Sequence, residues 1–416
     1  MSKLSFSKLG VLTLILFLTS CGRQESGELV GVQDRPSWSG INPYGMVYVP
    51  SGTLHIGQSD QDLLSTYTQK QKSISIQGFF MDDTEITNNE YRQFVYWVRD
   101  SIAHTIMGDY LPEDDFGNEW LDWEYELDYS SEELDEMFYQ GDMAFDGQRS
   151  MDMTKLRYKY TWIDWQKAAA SERYDNSART KMKREEELII YPDTLCWIRD
   201  FGYSYNEPFM RNYFSHPAFD DYPVVGVSWK QAKAFCNWRT KLWDGFKGEK
   251  EPNSEEFRLP TEAEWEHAAR GGNAIAPYPW GGYNIRNTKG CLLANFKPGR
   301  GNYPEDGGLY TVKADAYFPN PYGLYNMSGN VAEWTESAFH ENSYTHEHDL
   351  NPAYVYNADE DDPDVYKRKV IRGGSWKDVA FYLQTGTRHW EFQDTTKSYI
   401  GFRCALTFLG RSINDF

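Results

Sequence analysis

Apolar residues recur at helical spacing early in the chain. They fall at i, i+3, i+4 and i+7 and predict an amphipathic helix: Tyr91, Phe94, Val95 and Val98. Thr87 and Glu90 precede this helix with the spacing of a capping box, in which each side chain bonds the other's backbone N–H. Upstream, residues 46–57 (MVYVPSGTLHIG) predict two short strands around a Pro-Ser-Gly turn.

Two further helices are predicted by the same signals in the second half of the chain. Ser228 and Gln231 form a capping box ahead of a helix that buries Phe235 and Trp238. Residues 258–272 read RLPTEAEWEHAARGG. Here Thr261 and Glu264 form the capping box, Trp265, Ala268 and Ala269 share one helical face, and Gly271-Gly272 ends the helix.

Residues 104–220 differ from the rest in composition. Residues 109–142 hold 14 acidic residues and no Lys or Arg, yet aromatic residues are interleaved with the acids, which is unlike a disordered acidic tract. We interpret this part as partly ordered and docked on a neighbour. Residues 156–162 alternate and predict a strand. Residues 179–187 predict a charged helix or turn, and residues 187–198 a strand-like run broken at Pro192.

The N-terminus has the pattern of a lipoprotein signal peptide. Residues 1–20 combine a basic start with a short apolar run, too short to span a bilayer, and Leu18-Thr19-Ser20-Cys21 fits a bacterial lipobox. We predict that Cys21 carries the lipid and that residues 21–40 form a polar tether. An ordinary secreted protein with a chance cysteine is the alternative.

Charge and cysteine usage restrict the partners. The formal net charge is −20; removal of residues 1–20 takes away two lysines and no acid and leaves −22. Such a chain is a poor candidate for binding nucleic acid or anionic lipid.

Four cysteines follow Cys21, and no two of them have metal-site spacing. The exported context allows disulfides.

Eight ordered motifs resemble the sulfatase-modifying-factor (formylglycine-generating-enzyme) domain. They are MVYVPSG, DxTEITNxEY, YPVVGVSW, RLPTEAEWEHAARGG, YPWGG, GLYNMSGNVAEW, RGGSW and IGFRCA. The resemblance implies an α+β, loop-rich fold of the C-type-lectin-like superfamily. The domain would be discontinuous, comprising residues 41–103 and 221–410, with residues 104–220 as a long insertion.

A narrower resemblance covers the lipobox, the GELVGV run at residues 27–32, the long insertion and RGGSWKDVAFYLQ. Together they look like the gliding-motility lipoproteins of the GldK (PorK) family. That resemblance implies a non-catalytic, lipid-anchored ring scaffold of the type IX secretion and gliding machinery. It would be held at the outer membrane, facing the periplasm, as a homo-oligomeric ring with a GldN/PorN-type partner and other type IX components.

The resemblance also implies that the enzymatic chemistry is lost. Enzymes of the family use two cysteines after RGGSW, whose soft thiolates hold copper(I). The matching positions here are Asp378 and Leu383. Neither side chain supplies a thiolate, so we expect no catalytic residue and no copper.

Calcium, by contrast, is implied at two places. The first site would use Asn295, Phe296, Asp306 and Gly308, and the second Asn326, Gly329, Val331 and Glu333. Oxygen ligands at this spacing suit a structural Ca²⁺. The alternative is that the second set only hydrogen-bonds a tight loop.

The resemblance further implies a disulfide between Cys236 and Cys404, whereas no pairing follows for Cys196 and Cys291. We expect the motif segments to bury their core without the insertion, which would carry the partner contacts. Two other functions stay open. One is a calcium-dependent glycan- or peptide-binding module, and the other an oxidase with relocated catalytic groups.

Overall fold

The structure is a computed structural model that describes residues 41–57, 69–111, 120–144, 147–170, 182–200, 208–247, 255–299 and 308–410, with residues 202 and 304. Residues 42–416 cluster as one compact unit. The predicted signal peptide, tether and Cys21 lie outside the described residues. Within the described ranges, no helix combines the length and apolarity needed to cross a membrane.

Strands and helices alternate irregularly along the chain, so the fold mixes both. The strands are β1 Met46–Val49, β2 Gly52–Ile56, β3 Lys72–Ile76, β4 Phe79–Asp82, β5 Arg157–Ile163, β6 Lys183–Ile189, β7 Ala332–Ala338, β8 Arg368–Arg372, β9 His389–Phe392, β10 Ile400–Gly401 and β11 Ala405–Thr407. The α-helices are α1 Asn88–Met107, α2 Trp165–Ala170, α3 Cys196–Asp200, α4 Pro208–Asn212, α5 Trp229–Lys247, α6 Glu262–Arg270 and α7 Ser343–His346. Short 3₁₀ helices span Glu132–Met137, Gly141–Met143, Met153–Lys155, Pro217–Phe219, Asp364–Lys367 and Ala380–Leu383.

Within the described residues, the strands form four small sheets. A three-stranded sheet has the order β1-β4-β11, and a four-stranded sheet the order β10-β7-β8-β9. β2 pairs with β3 and β5 with β6. The two strands predicted in residues 46–57 are confirmed, but they enter different sheets. β4 is the central strand of the first sheet, because it pairs antiparallel with β1 on one side and with β11, near the end of the described chain, on the other.

All three predicted capping boxes are present. At the start of α1, the Thr87 N–H donates to Glu90 (2.8 Å) and the Glu90 N–H to Thr87 Oγ1 (3.3 Å). The same reciprocal pairs precede α5 and α6. Gly271 ends α6 at φ 57°, where a Cβ would also lie 2.7 Å from Pro321 Cδ. Contacts between residues three positions apart therefore determine where these three helices begin.

The main core joins α1 to α5. The ring of Tyr91 stacks on Phe235 with centroids 5.6 Å apart, and Phe94 lies 5.3 Å from Trp238. All four side chains are buried. The segments on either side of the insertion therefore meet through these helices.

The insertion belongs to this core, contrary to the expectation that the motif segments bury it alone. Leu134 and Met137 are only 0% and 1% exposed and lie in the same cluster as α1 and α5. Tyr158 of β5 packs edge-on against Phe94 at 5.2 Å. Deleting residues 109–142 would remove two fully buried side chains, so we now expect that deletion to destabilise the whole core.

The secondary structure of the insertion was predicted only in part. The strand over residues 156–162 is confirmed as β5. Residues 183–187 are strand β6 rather than a charged helix or turn, because the alternating side chains at 184, 186 and 188 pack inward while the intervening charges face solvent. Residues 179–181 lie outside the described residues. After Pro192 the chain forms α3, so the predicted strand-like run ends at Ile189.

Candidate functional site

The turn after β8 carries Asp378, the first of the two positions that the resemblance matches to catalytic cysteines. Gly373 and Gly374 have φ 91° and 69°, and a Cβ on Gly374 would lie 2.8 Å from the Tyr382 carbonyl oxygen. This close approach folds residues 375–378 against the following 3₁₀ helix. There the Asp378 N–H donates to the Ser375 carbonyl (3.0 Å), and Ser375 Oγ donates to Asp378 Oδ2 (2.6 Å).

Asp378 faces a small cavity. The cavity has a volume of about 190 Å³, and its other lining side chains include Lys377, Tyr382, His389 and Tyr399. Asp378 therefore presents a carboxylate, held by a serine hydroxyl, at the position that the resemblance matches to a cysteine. A hard carboxylate does not replace a soft thiolate as a copper(I) ligand.

The second position lies in the core. Leu383 is 0% exposed and packs in a cluster with Tyr278, Leu292, Ala294 and Phe296. Leu383 thus contributes to packing and offers no reactive atom. In the ranges that the structure describes, no group of three or more His, Cys, Asp or Glu side chains is arranged to hold a metal.

The residues of the second predicted calcium site lie in the turn that leads into β7 and, for Glu333, in the second residue of β7 itself. Gly329 and Asn326 both have positive φ, 83° and 50°. Glu333 is fully buried, and its carboxylate accepts three N–H groups: Trp265 Nε1 (2.7 Å), Arg403 Nε (2.7 Å) and Arg403 Nη2 (2.6 Å). Both carboxylate oxygens are thus already paired with donors, and a guanidinium neutralises their charge.

This pairing bears directly on whether calcium fits there. The amide of Asn326 donates to the Ala314 carbonyl (2.8 Å) and to Glu85 Oε2 (3.1 Å). A cation at this place would compete with Arg403 for the oxygens of Glu333. The arrangement matches the alternative in which these side chains hold a tight loop, and calcium at this site stays a prediction.

Glu85 is a buried carboxyl beside this network that the sequence did not single out. It is 0% exposed, and each of its oxygens accepts an amide N–H at 3.1 Å, from Asn326 and from Asn330. Burial raises the pKa of Glu85 to about 8, although the nearby Arg403 guanidinium acts against that rise. One guanidinium thus lies between two buried carboxyls, and it pairs with Glu333.

The first predicted calcium site is described only in part. Asp306 lies outside the described residues. Asn295 is buried and donates from Nδ2 to the Tyr310 carbonyl (2.7 Å), while its own carbonyl accepts the Asn330 N–H (2.8 Å). Phe296 is buried, and a Cβ on Gly308 would lie 2.5 Å from Val312. Calcium here also remains a prediction.

Cys236 on α5 and Cys404 just before β11 are brought together. Their sulfur atoms lie 3.5 Å apart, both residues are buried, and both are free thiols in this structure. Cys196 is buried and Cys291 exposed. The disulfide itself therefore stays a prediction.

We expect non-reducing peptide mapping of the exported protein to recover Cys236 and Cys404 in one cross-linked peptide. A bond closing so long a loop would stabilise the fold by about 4–5 kcal/mol in the chain-entropy model. Reduction should lower the unfolding midpoint of the parent protein but not that of a Cys236→Ala/Cys404→Ala variant. Recovery of both thiols in alkylated form would contradict the pairing.

Comparison with known proteins identifies the family. The model for the sulfatase-modifying factor enzyme 1-like (FGE-sulfatase) domain matches residues 38–408. The chain therefore belongs to this family.

Its relatives differ in activity, as their names show. Formylglycine-generating enzyme of Bos taurus is 28% identical over 374 residues, which cover 88% of this chain and 76% of that enzyme. The Bos taurus protein named inactive C-alpha-formylglycine-generating enzyme 2 is 35% identical over 191 residues, 44% of this chain and 50% of that protein. The mouse enzyme is 36% identical over 195 residues, 45% of each chain. This chain thus aligns with about half the length of the latter two, and family membership leaves its activity open.

Among solved structures, PvdO from Pseudomonas aeruginosa aligns with a TM-score of 0.48 at 17% identity. The alignment covers 87% of this chain and 94% of PvdO.

Proposed function

We propose that this chain is a non-catalytic, lipid-anchored structural component of the type IX secretion and gliding machinery, of the GldK (PorK) kind. The observation that carries the non-catalytic part of the proposal is the state of the two positions that the resemblance matches to catalytic cysteines, whereas the anchor and the secretion role rest on the sequence motifs. Asp378 is hydrogen-bonded to Ser375, and Leu383 is buried in a hydrophobic cluster. Neither can bind copper(I) as a thiolate or exchange a disulfide.

The insertion supports a role in assembly through its surface. Trp120, Trp123 and Tyr125 are 59%, 47% and 53% exposed. They lie in the acidic part of the insertion, among residues such as Glu124 and Glu126. Large exposed rings surrounded by acids suit a contact with a basic protein surface, in which the rings supply contact area and the charges steer the approach.

The lipid anchor is tested by Cys21→Ala. This variant should incorporate no labelled fatty acid and should leave the membrane fraction when no partner retains it. Cys291→Ala, which removes an exposed cysteine instead, should keep the label. A Cys21→Ala protein that is still acylated would contradict the anchor.

Assembly is tested by surface substitutions, because deleting the acidic segment would also remove core residues. Trp120→Ala/Tyr125→Ala should unfold at the same temperature as the parent chain but lose copurification with a GldN/PorN-type partner and ring formation. Phe318→Ala removes a ring that is 90% exposed outside the insertion and serves as the matched control.

Salt provides a second measure of the same contact. If acids steer the partner, the association rate should fall as ionic strength rises, and Glu124→Lys/Glu126→Lys should lower it at low salt. Normal rings from both double variants would place the contact elsewhere. Formylglycine formation on a substrate cysteine by the purified protein would contradict the non-catalytic proposal as a whole.

A further inference from the structure

A cavity of about 340 Å³ lies between the loop that follows α6 and the turn that leads into β7. Phe318 lines it and is 90% exposed, so one face of the cavity is an aromatic ring in contact with solvent. The other apolar residues of its described wall are Pro279, Trp280, Leu292, Leu293, Ala316, Pro319, Leu324 and Met327. A cavity of this size with an apolar wall and a few polar groups is typical of a small-molecule site.

Lys289 is the only charged side chain among the described residues that line this cavity. It is exposed, and its ammonium forms no ion pair with any residue of the described ranges. The chain as a whole has a formal net charge of −20, yet no described carboxylate lines this wall. The charge of the cavity therefore favours an anionic group at Lys289 over a cationic one.

The polar side chains of the wall are already bonded within the protein. The hydroxyl of Ser328 donates to the Leu383 carbonyl at 2.6 Å, and Asn320 Nδ2 donates to the Ala268 carbonyl at 2.7 Å. The other side chains bonded in this way include Asn287, Asn326 and Trp280. A ligand with many polar groups would exchange its bonds with water for few new ones here. The cavity thus suits a ligand whose buried part is hydrocarbon.

We infer that this cavity binds a fatty acid, with the hydrocarbon chain along the apolar wall and the carboxylate at Lys289. Burial of the chain against the wall and Phe318 supplies the affinity, and a charge-assisted hydrogen bond from the ammonium holds the carboxylate. A peptide would leave its amide groups without partners along this wall. The inference goes beyond the proposed scaffold function, and either can fail without the other.

The test is a calorimetric titration of the full-length protein in detergent with octanoate and with octanamide, which has the same chain without the charge. Octanoate is kept below the concentration at which it forms micelles, and protein-free detergent gives the blank. We expect saturable binding of octanoate and about tenfold weaker binding of octanamide. Lys289→Met should weaken octanoate binding about tenfold and remove the preference, because a charged hydrogen bond is lost.

Two other variants complete the comparison. Lys159→Met removes an exposed lysine that does not line the cavity and should leave both affinities unchanged. Phe318→Ala should weaken both ligands alike, because it removes apolar wall and no charge. Normal ring assembly by a Phe318→Ala protein that has lost octanoate binding would leave the scaffold proposal standing.

Cys291 gives a second readout, because it is exposed and lines the same cavity. Octanoate should slow the alkylation of Cys291 by a maleimide in proportion to the fraction of sites filled. Four results would overturn the inference: no saturable binding of octanoate at millimolar concentration, equal affinities for octanoate and octanamide, octanoate binding that Lys289→Met leaves intact, or an alkylation rate that octanoate does not change. Tighter binding of a short apolar peptide acid than of octanoate would overturn the assignment to a fatty acid.

Discussion

Replacing Arg403 by methionine is expected to lower the free energy of unfolding by about 3–5 kcal/mol, because the change leaves the buried carboxylate of Glu333 without its counter-charge. Arg403 is 0% exposed and holds both oxygens of Glu333, which is also 0% exposed. Its Nη1 and Nη2 groups further donate to the Asp82 and Tyr325 carbonyls at 3.1 and 2.9 Å. Urea unfolding, followed by tryptophan fluorescence, measures the loss.

Two further variants separate this buried pair from an ordinary surface pair. Arg157→Met removes an ion pair with Glu187 in which the side chains are 49% and 51% exposed, and it should cost less than about 1 kcal/mol. Adding Glu333→Gln to Arg403→Met should recover part of the loss, since the uncompensated charge is then gone. A loss below about 1 kcal/mol for Arg403→Met alone would contradict the buried pairing.

Calcium gives the same experiment a second outcome. If Glu333 serves Arg403, added calcium or a chelator should leave the stability of the parent protein unchanged. If calcium stabilises the parent protein and Glu333→Gln abolishes that gain, Glu333 is a metal ligand as the family resemblance implies, since an ion that binds only the folded state stabilises it by mass action.

The sequence predicted features whose causes lie close together along the chain. The capping boxes at Thr87, Ser228 and Thr261 involve side chains three residues apart, and all three formed. The strand over residues 156–162 followed from alternation. These features depend on local geometry, so no knowledge of the fold was needed to find them.

Features that join distant segments did not follow from local patterns, and the proximity of Cys236 and Cys404 was implied only by the family resemblance. Three separate motifs contain Trp265, Glu333 and Arg403. Only the folded chain shows that the Glu333 carboxylate accepts hydrogen bonds from both Trp265 and Arg403. The charged strand β6 was also missed, because two of its three inward positions, Arg184 and Glu186, are charged and pack on a neighbour that periodicity does not reveal. Tertiary packing there overrides the local pattern.

The composition of the insertion predicts its surface but not its role in the core. Residues 109–142 are rich in acids, whereas Leu134 and Met137 are buried in the main core. A few apolar residues in an acidic segment are enough to anchor it when they meet a large aromatic cluster. The proposed partner contact and the core packing therefore share one segment, and only surface substitutions can separate them.

Replacing Lys369 by methionine is expected to stabilise the protein by about 2–4 kcal/mol at pH 6 and to give no gain near pH 10. Lys369 is 0% exposed, its Nζ donates to the Tyr356 carbonyl at 2.6 Å, and it lies 3.6 Å from the centroid of the Trp229 ring. Burial lowers the pKa of Lys369 to about 7; Glu336 opposes that shift and the neighbouring Lys233 adds to it.

The sign of the effect follows from the two protonation states. Below about pH 7 both folded and unfolded chains hold the proton, and the full cost of burying the charge is present. Between about pH 7 and 10.5 the folded chain has released the proton and the unfolded chain has not, so the stability of the parent protein rises with pH. Above that range the cost is gone, while methionine still leaves the Tyr356 carbonyl without its donor, a loss of about 1 kcal/mol.

Urea unfolding of the parent and the variant at pH 6, 8 and 10 checks this, with Lys159→Met as the control. Lys159 has a side chain that is 63% exposed and pairs with Glu185. Its removal should shift all three curves by the same small amount. If Lys369→Met is instead destabilising at pH 6, burying the charged ammonium has no net cost, and the face of Trp229 together with Glu336 must then replace the water that burial removes.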